Sequence, residues 1–289
     1  MSATTTPTRQ LADVDVYPIG LGAMLLSIEG RPDEAQAIRT IHAALDAGIN
    51  LIDTADAYAL DGTEIGHNER LVAKALKGRR EDVIVATKGV HTREGREWLL
   101  DGRPEHVREA CEASLRALGT DRIDLYQFHR PDPDVPFAET VGAFKELQDE
   151  GKIRWIGLSN VDHQQLEEAI AIAEIVSVQN QLALNFTSPL TKGEVQAATD
   201  RGIAFLPWSP LGGMGRADET SEGVAEVREI ASARAVSAQQ VVLAWLLHLG
   251  PTVIPIPGAR RPETITDSAA AARLELAADE VDAITRAVT

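Results

Sequence analysis

The chain has 289 residues, of which 44% are hydrophobic, so it is long enough to bury a large core. Its 28 Lys and Arg residues against 44 Asp and Glu residues give a formal net charge of −16, which disfavours nucleic acids and anionic membranes as partners. The single cysteine excludes an intrachain disulfide and a cysteine-clustered metal site, and we expect no metal.

The start of the chain resembles neither a membrane anchor nor a signal peptide. No apolar run reaches the ~18 residues that a membrane-spanning helix needs, and the segment Ser2–Gln10 is polar. We therefore expect a cytoplasmic protein in which residues 1–10 form a flexible tail. Nothing in the sequence indicates an oligomer, so a monomer is the default expectation.

Short apolar runs alternate with longer amphipathic stretches from residue 11 onward. The apolar runs predict eight strands: Tyr17–Leu21, Asn50–Asp53, Val83–Lys88, Ile123–Phe128, Ile153–Leu158, Ile175–Gln179, Ile203–Pro207 and Thr252–Ile254. The amphipathic stretches predict seven main helices: Pro32–Ala47, Asn68–Leu76, Pro104–Leu118, Phe137–Glu150, Gln164–Ala173, Pro189–Arg201 and Ala238–Leu249. An extra helix, Gly223–Arg234, is predicted between the seventh strand and its main helix, and a last helix contains Val281 and Ile284.

Eight strands with intervening helices and no linker favour an α/β fold, a single (β/α)₈ TIM barrel over residues 11–289. The alternative is a doubly wound sheet, which would need a glycine-rich phosphate loop after the first strand. The segment Gly20-Leu21-Gly22 lacks the third glycine of that motif.

In such a barrel the catalytic groups lie at the C-terminal ends of the strands. The residues at these ends are mostly polar: Gly22, Asp53, Lys88, His129, Ser159-Asn160, Gln179, Trp208 and Pro255-Ile256-Pro257. Polar residues commonly begin where a strand ends, which explains any one of them. That explanation fits the whole set poorly, so we expect a site at this end of the barrel.

Three of these side chains, together with Tyr58 in the loop that follows Asp53, suggest proton transfer. A tyrosine phenol titrates near 10 in water, too high to release a proton readily at neutral pH. The ammonium of Lys88, held in place by Asp53, would favour the phenolate of Tyr58 and move its pKa toward the working pH. Tyr58 would then act as a general acid, and His129 could donate to a substrate oxygen. The competing interpretation is an exposed tyrosine, a solvated lysine and a histidine in the core.

The segments around these residues resemble the aldo-keto reductase family. The matching segments follow the family's order: Leu51–Tyr58, Asn68–Leu71, Val85–Lys88, Arg122–Arg130, Gly151–Asn160, Trp208–Gly212 and Ile254–Gly258. Each is a weak match alone, but the ordered set is specific and extends from about residue 17 to the end of the chain. Two segments, Ala173–Asn180 and Phe205–Gly213, are most similar to bacterial reductases of the pyridoxal-reductase kind.

The resemblance implies the same barrel and the reduction of an aldehyde or ketone with NADPH. Asp53, Tyr58, Lys88 and His129 match the family's catalytic tetrad, with Tyr58 as the proton donor, and Tyr58, His129 and Trp98 are the expected substrate contacts. The expected cofactor contacts are Gly22, Met24, Asp53, Ser159, Asn160, Gln179, Trp208, Ser209, Leu211, Gly213, Gly258, Arg260, Arg261, Asp267 and Ser268.

The choice between NADPH and NADH depends on the last loop. Arg260 and Arg261 are candidates for binding a 2′-phosphate, although an ordinary solvent-facing pair is the alternative. The family usually has Glu-Asn at the adenine end, where this chain has Asp267-Ser268, and Thr264 replaces a common basic residue. Because of the arginine pair NADPH is the expected cofactor, and because of these departures NADH is kept as the alternative.

Two other classes of function remain open. A regulatory barrel could bind the cofactor without turnover, although all four tetrad residues are present. A metal-dependent hydrolase is the third class, but no closely spaced pair of histidines follows an early strand. The sequence does not identify the carbonyl substrate, because loop shape determines substrate choice on this scaffold.

Overall fold

The computed structural model describes residues 7–289, and it begins with a hairpin below the barrel. The hairpin pairs β1 (Arg9–Leu11) with β2 (Val14–Val16), and both of its apolar ends are fully buried in the barrel interior. The side chain of Arg9 donates to the carbonyl oxygens of Leu247 and Gly250. Residues 1–6 of the predicted tail lie outside the described residues, but the prediction of a tail was wrong for Arg9 and Gln10.

Seven parallel strands then form the wall of a barrel, which confirms the predicted fold class. The remaining strands are β3 (Leu21–Gly22), β4 (Leu51–Asp53), β5 (Ile84–Gly89), β6 (His91–Glu94), β7 (Glu97–Leu100), β8 (Ile123–Phe128), β9 (Ile153–Ser159), β10 (Ile175–Gln179) and β11 (Ala204–Phe205). The sheet runs in the order β11-β10-β9-β8-β5-β4-β3, while β6 and β7 form a separate antiparallel hairpin that the sequence did not predict.

The eighth position of the wall is an extended segment held by bridges rather than a full strand. Val253 bridges Phe205 and Gly258 bridges Gly22, so the segment between them closes the barrel. The carbonyl oxygens of Pro255 and Pro257 accept hydrogen bonds from the backbone N–H groups of Gly20 and Gly22, directly before and within β3. Pro255 and Pro257 have no N–H to donate, so the predicted strand Thr252–Ile254 cannot continue past Ile254 as a regular ladder and the segment pairs through isolated bridges.

The helices surround this wall in the predicted order. They are α1 (Glu34–Asp46), α2 (His67–Ala75), α3 (Pro104–Leu118), α4 (Phe137–Asp149), α5 (His163–Ile170), α6 (Ser188–Thr191), α7 (Glu194–Asp200), α8 (Ala217–Glu222), α9 (Ala225–Arg234), α10 (Ala238–His248), α11 (Pro262–Ala270) and α12 (Ala278–Val288). The predicted helix Pro189–Arg201 is divided into α6 and α7, where Gly193 adopts a positive φ of 74°. The predicted extra helix is α9, and α8 precedes it.

Helix α10 is the most deeply buried of these elements. Its residues Val241–Leu247 are all buried in the core between the barrel wall and the outer helices. Within residues 7–289 no single helix is long and apolar enough to cross a membrane. Only α9 and α10 together, which meet at an angle of 108°, reach the required length and composition.

The close packing of β5 against β8 makes Gly89 a sensitive position. A Cβ added there would lie 2.2 Å from the Tyr126 hydroxyl oxygen. Tyr126 is fully buried and stacks on Phe144 with ring centroids 4.8 Å apart, so it has little room to move. We expect Gly89→Ala to lower the free energy of unfolding by about 1–3 kcal/mol, as overpacking usually does.

Denaturant titration of Gly89→Ala against wild type measures this loss. Gly142→Ala is the matched control, because Gly142 lies inside α4 and an added Cβ meets nothing within 4 Å. Alanine favours a helix over glycine, so the control should gain up to about 1 kcal/mol. Equal stabilities for the two variants would show that the contact with Tyr126 is not restrictive.

Candidate active site

Three of the four predicted tetrad side chains meet at the C-terminal ends of β4 and β5. The ammonium of Lys88 lies 2.5 Å from Asp53 Oδ1, 2.8 Å from the Thr54 carbonyl oxygen and 3.2 Å from the Tyr58 hydroxyl. These three contacts use its three N–H donors. Lys88 is fully buried and Asp53 is 3% exposed, so the ion pair is shielded from water.

The second oxygen of Asp53 is held by two amides that sequence analysis did not pair with it. Gln127 and Gln179 donate to Asp53 Oδ2 at 2.9 and 2.8 Å. Gln127 is the register partner of Lys88 across β5 and β8, which explains its place beneath the site. A lone amide inside the apolar run Ile123–Phe128 is the signal that could have identified it. The two glutamine amides thereby fix the orientation of the Asp53 carboxylate that pairs with Lys88.

The pKa of Tyr58 differs from the prediction made from sequence. Complete burial raises the pKa of the phenol, and this effect outweighs the neighbouring Lys88 ammonium, which acts in the opposite direction. The expectation that Lys88 moves this pKa down toward neutrality was therefore wrong for the net direction. The pKa of Lys88 is raised, because attraction to Asp53 and Tyr58 outweighs the burial that alone would lower it. At neutral pH the site holds a phenol beside an ammonium.

His129 follows β8 and faces Tyr58 across the pocket. The two rings meet edge to face with centroids 5.7 Å apart, and His129 is 8% exposed. Burial lowers the pKa of His129 well below its usual range, and the positive charges of Lys88 and Arg130 add to this effect. Its Nδ1 is buried with no partner among residues 7–289. The imidazole is therefore neutral at physiological pH.

This lowered pKa predicts how stability depends on pH. An unfolded histidine titrates near 6.5, so below that pH the unfolded chain binds a proton that the folded His129 does not. The contribution of neutral His129 to the free energy of unfolding is fully present above pH 6.5. It is lost as the pH falls, by up to about 1.4 kcal/mol per pH unit. We expect acidic pH to lower the Tm of wild type more than that of His129→Gln, as thermal unfolding at several pH values would measure. The control His163→Gln removes an exposed histidine and should retain the wild-type pH dependence.

The four side chains adjoin a cavity of about 270 Å³ at this end of the barrel. Lys88 lies behind it, while most of the other predicted contacts form its lining. The predicted residues in the lining are Gly22, Met24, Asp53, Tyr58, Trp98, His129, Ser159, Asn160, Gln179, Trp208, Ser209, Leu211, Gly213 and Gly258. Residues that sequence analysis did not assign also line it, among them Leu25, Arg130, Pro210 and Ile256.

The side-chain amide of Asn160 connects three parts of the cavity wall by hydrogen bonds. Asn160 donates from Nδ2 to the His129 carbonyl oxygen at 2.9 Å and to Ser159 Oγ at 3.0 Å. Its Oδ1 accepts from the indole N–H of Trp208 at 3.2 Å. The side chain of Asn160 thus positions Trp208 and the His129 loop, while the Ser159 hydroxyl hydrogen and Gln179 Oε1 are not used within residues 7–289.

The last loop forms a second cavity next to the first. Arg260 and Arg261 line it together with Gln36 and Thr264, and Gly258 lines both cavities. Arg260 Nη2 donates to the Glu29 carbonyl oxygen at 3.2 Å, whereas its Nε is buried with no partner among residues 7–289. The two arginines are therefore close to the main cavity, and their contact with a cofactor stays a prediction.

Asp267 and Ser268 are not brought into either lining, which differs from the prediction. The carboxylate of Asp267 accepts from Ser237 Oγ at 2.7 Å and from Gln240 Nε2 at 2.5 Å. Ser268 is buried, with an exposure of 2%. Asp267 thus connects α11 to the start of α10, a contact over about 30 residues that the sequence pattern did not reveal.

The unpredicted hairpin β6–β7 forms one side of the cavity mouth. Trp98 on β7 contacts Tyr58 edge to face at 6.3 Å, and Arg93 covers its indole at 4.0 Å. His91 on β6 packs against His129 with ring centroids 4.4 Å apart, and its Nδ1 donates to the Leu99 carbonyl oxygen. The hairpin therefore supports both Tyr58 and His129 from outside the barrel.

Comparison with known proteins identifies relatives of this arrangement. A model described as the aldo/keto reductase family matches residues 18–289. "Probable aldo-keto reductase 1" of Glycine max is 33% identical over 303 aligned positions, which cover 95% of this chain and 86% of that protein.

Solved structures agree in fold over almost the whole chain. The glycerol dehydrogenase of Gluconobacter oxydans has a TM-score of 0.84 and 29% identity, covering 98% of this chain and 97% of that one. An aldo/keto reductase of Klebsiella pneumoniae, solved in complex with NADP and acetate, has a TM-score of 0.80 and 27% identity, covering 95% and 92%.

Proposed function

The chain belongs to the aldo/keto reductase family, and we propose that it reduces an aldehyde or ketone to an alcohol with NADPH, Tyr58 being the proton donor. The observation that carries this proposal is the contact of the Tyr58 hydroxyl with the buried Lys88 ammonium at the wall of the main cavity. A carbonyl that receives hydride at its carbon must receive a proton at its oxygen. A buried phenol with a raised pKa is protonated at neutral pH and supplies that proton.

The other three tetrad residues act on Tyr58 and on the substrate oxygen. As Tyr58 releases its proton, the developing phenolate lies 3.2 Å from the Lys88 ammonium, which stabilises the negative charge. Asp53 holds Lys88 in place and is itself fixed by two glutamine amides. Neutral His129 lines the same cavity, and with its proton on Nε2 it donates to the carbonyl oxygen.

Another part of the same cavity wall has the chemistry that a nicotinamide carboxamide requires. The Ser159 hydroxyl is a donor, and Gln179 Oε1 accepts no hydrogen bond within residues 7–289, so the two groups complement an amide. Trp208 offers an aromatic face beside them. A nicotinamide cofactor bound here would supply the hydride, while the chain orients the two reactants.

The second cavity supports NADPH over NADH. Arg260 has a buried Nε without a partner among residues 7–289, and Arg261 lines the same cavity. Paired guanidinium groups suit a phosphate, and the Klebsiella pneumoniae relative was solved with NADP. Asp267 makes contacts within the protein instead of lining the cavity. The replacement of the family's usual Glu-Asn by Asp267-Ser268 therefore argues less strongly against NADPH than its position in the sequence suggested.

The test is a panel of aldehydes and ketones, including pyridoxal, assayed with NADPH and with NADH at matched concentrations. We expect cofactor oxidation with at least one carbonyl and a preference for NADPH that is reduced in Arg260→Met. Tight cofactor binding with no turnover on the whole panel would contradict the proposal and favour a regulatory barrel. A stronger reaction with NADH would contradict only the assignment of the cofactor.

A further inference from the structure

Arg130 is a charged group at the cavity that the proposed reaction does not use. It directly follows His129 and lines the cavity together with Tyr58 and Trp98, and its side chain is exposed. The next carboxylate along the chain, Asp132, is already engaged by the backbone N–H groups of Gly102 and Asp134. Over residues 7–289 the Arg130 guanidinium makes no ion pair or hydrogen bond of its own.

This positive charge is not balanced within the cavity. Among the described residues of the lining, the charged side chains are Arg130 and Asp53, and Asp53 is neutralised by Lys88 at 2.5 Å. Beyond the main effect of burial, Arg130 also lowers the pKa of both His91 and His129, so its field reaches the reacting end of the cavity. An exposed cation that lines a cavity attracts an anionic group locally, although the net charge of −16 on the chain repels anions at longer range.

A flat apolar surface lies beside this charge. Trp98 is 43% exposed, and Arg93 stacks on its indole at 4.0 Å. The hairpin that carries Trp98 is anchored to the loop after Tyr58, because Gly62 N donates to the Gly95 carbonyl oxygen at 2.9 Å. Arg93 Nη2 also donates to the Leu60 carbonyl oxygen, at 2.9 Å. The indole is thus held in a fixed position near the phenol.

We propose that Arg130 and Trp98 form a substrate subsite that selects aromatic carbonyl compounds carrying an anionic group, such as a carboxylate or phosphate, away from the carbonyl. The aryl ring packs on Trp98, the carbonyl faces Tyr58 and His129, and the anion pairs with Arg130. The inference rests on the proposed function, because it uses the same cavity and the same proton donor.

The experiment compares 4-carboxybenzaldehyde with its neutral methyl ester, assayed with NADPH at low and high salt. In wild type we expect kcat/KM for the carboxylate to exceed that for the ester by roughly fivefold at low salt, as an exposed ion pair allows. High salt should reduce the ratio, because it screens exposed charges. Arg130→Met should bring the ratio to about one, and Arg130→Lys should retain part of it.

Arg122→Met is the matched control, because Arg122 is an exposed arginine at the opposite end of the same strand, β8. It removes the same charge and should keep the wild-type ratio. Turnover of the ester without any preference for the carboxylate would overturn the subsite and leave the proposed function standing. A rise in KM for NADPH in Arg130→Met would also overturn it. If wild type turned over neither compound, the subsite would be overturned, and the wider carbonyl panel would decide the proposed function separately.

Discussion

Tyr58→Phe is expected to lower kcat for carbonyl reduction by roughly 10²–10⁴-fold, the range that general acid catalysis usually contributes. The variant removes only the hydroxyl that lies 3.2 Å from Lys88 and keeps the ring that packs between His129 and Trp98. Because the ring contacts remain, the fold and the affinity for NADPH should be retained. Steady-state kinetics and cofactor titration by fluorescence measure the two quantities separately.

Tyr126→Phe is the matched control for this variant. Tyr126 is fully buried on β8, and its hydroxyl has no hydrogen-bond partner among residues 7–289. Removing it should leave kcat close to wild type, since Tyr126 does not line the cavity. If Tyr58→Phe kept full activity while still binding the cofactor, the phenol would not be the proton donor, and a water molecule or His129 would have to supply the proton.

The largest expected effect on stability comes from Lys88→Met. This variant leaves the carboxylate of Asp53 buried at 3% exposure without its cation, and an uncompensated buried charge of this kind costs about 3–5 kcal/mol. It also removes the ammonium that stabilises the phenolate, so we expect reductase activity to be lost as well. Denaturant titration measures the first effect and steady-state kinetics the second.

The double variant Asp53→Asn/Lys88→Met separates the two effects. Removing both charges eliminates the unpaired ion, so the double variant should recover much of the stability that Lys88→Met loses, while activity stays low. Lys74→Met is the control for loss of a lysine ion pair, because its partner Glu34 and Lys74 itself are both mostly exposed. It should change stability far less. Equal losses in the single and double variants would show that the buried pair is not the cause.

Much of the fold and of the site could be predicted from the sequence. The alternation of apolar runs and amphipathic stretches predicted the barrel, and the bounds of α3 and β8 agree with the prediction residue for residue. The short hairpins were missed because three- or four-residue strands leave no clear periodic pattern. The eighth strand was overestimated because Pro255 and Pro257, which come directly after it, cannot donate ladder hydrogen bonds, and the segment pairs through isolated bridges.

The sequence by itself determined which side chains could meet, because the C-terminal ends of parallel neighbouring strands lie at one edge of a barrel. Asp53 ends β4, Lys88 lies at the end of β5 and His129 follows β8, and these strands are consecutive in the sheet. Only the tertiary structure decided how these groups behave. Complete burial reverses the expected net shift in the pKa of Tyr58. The desolvation of a group and its contacts with distant residues arise from packing in three dimensions, and a local sequence pattern records neither of them.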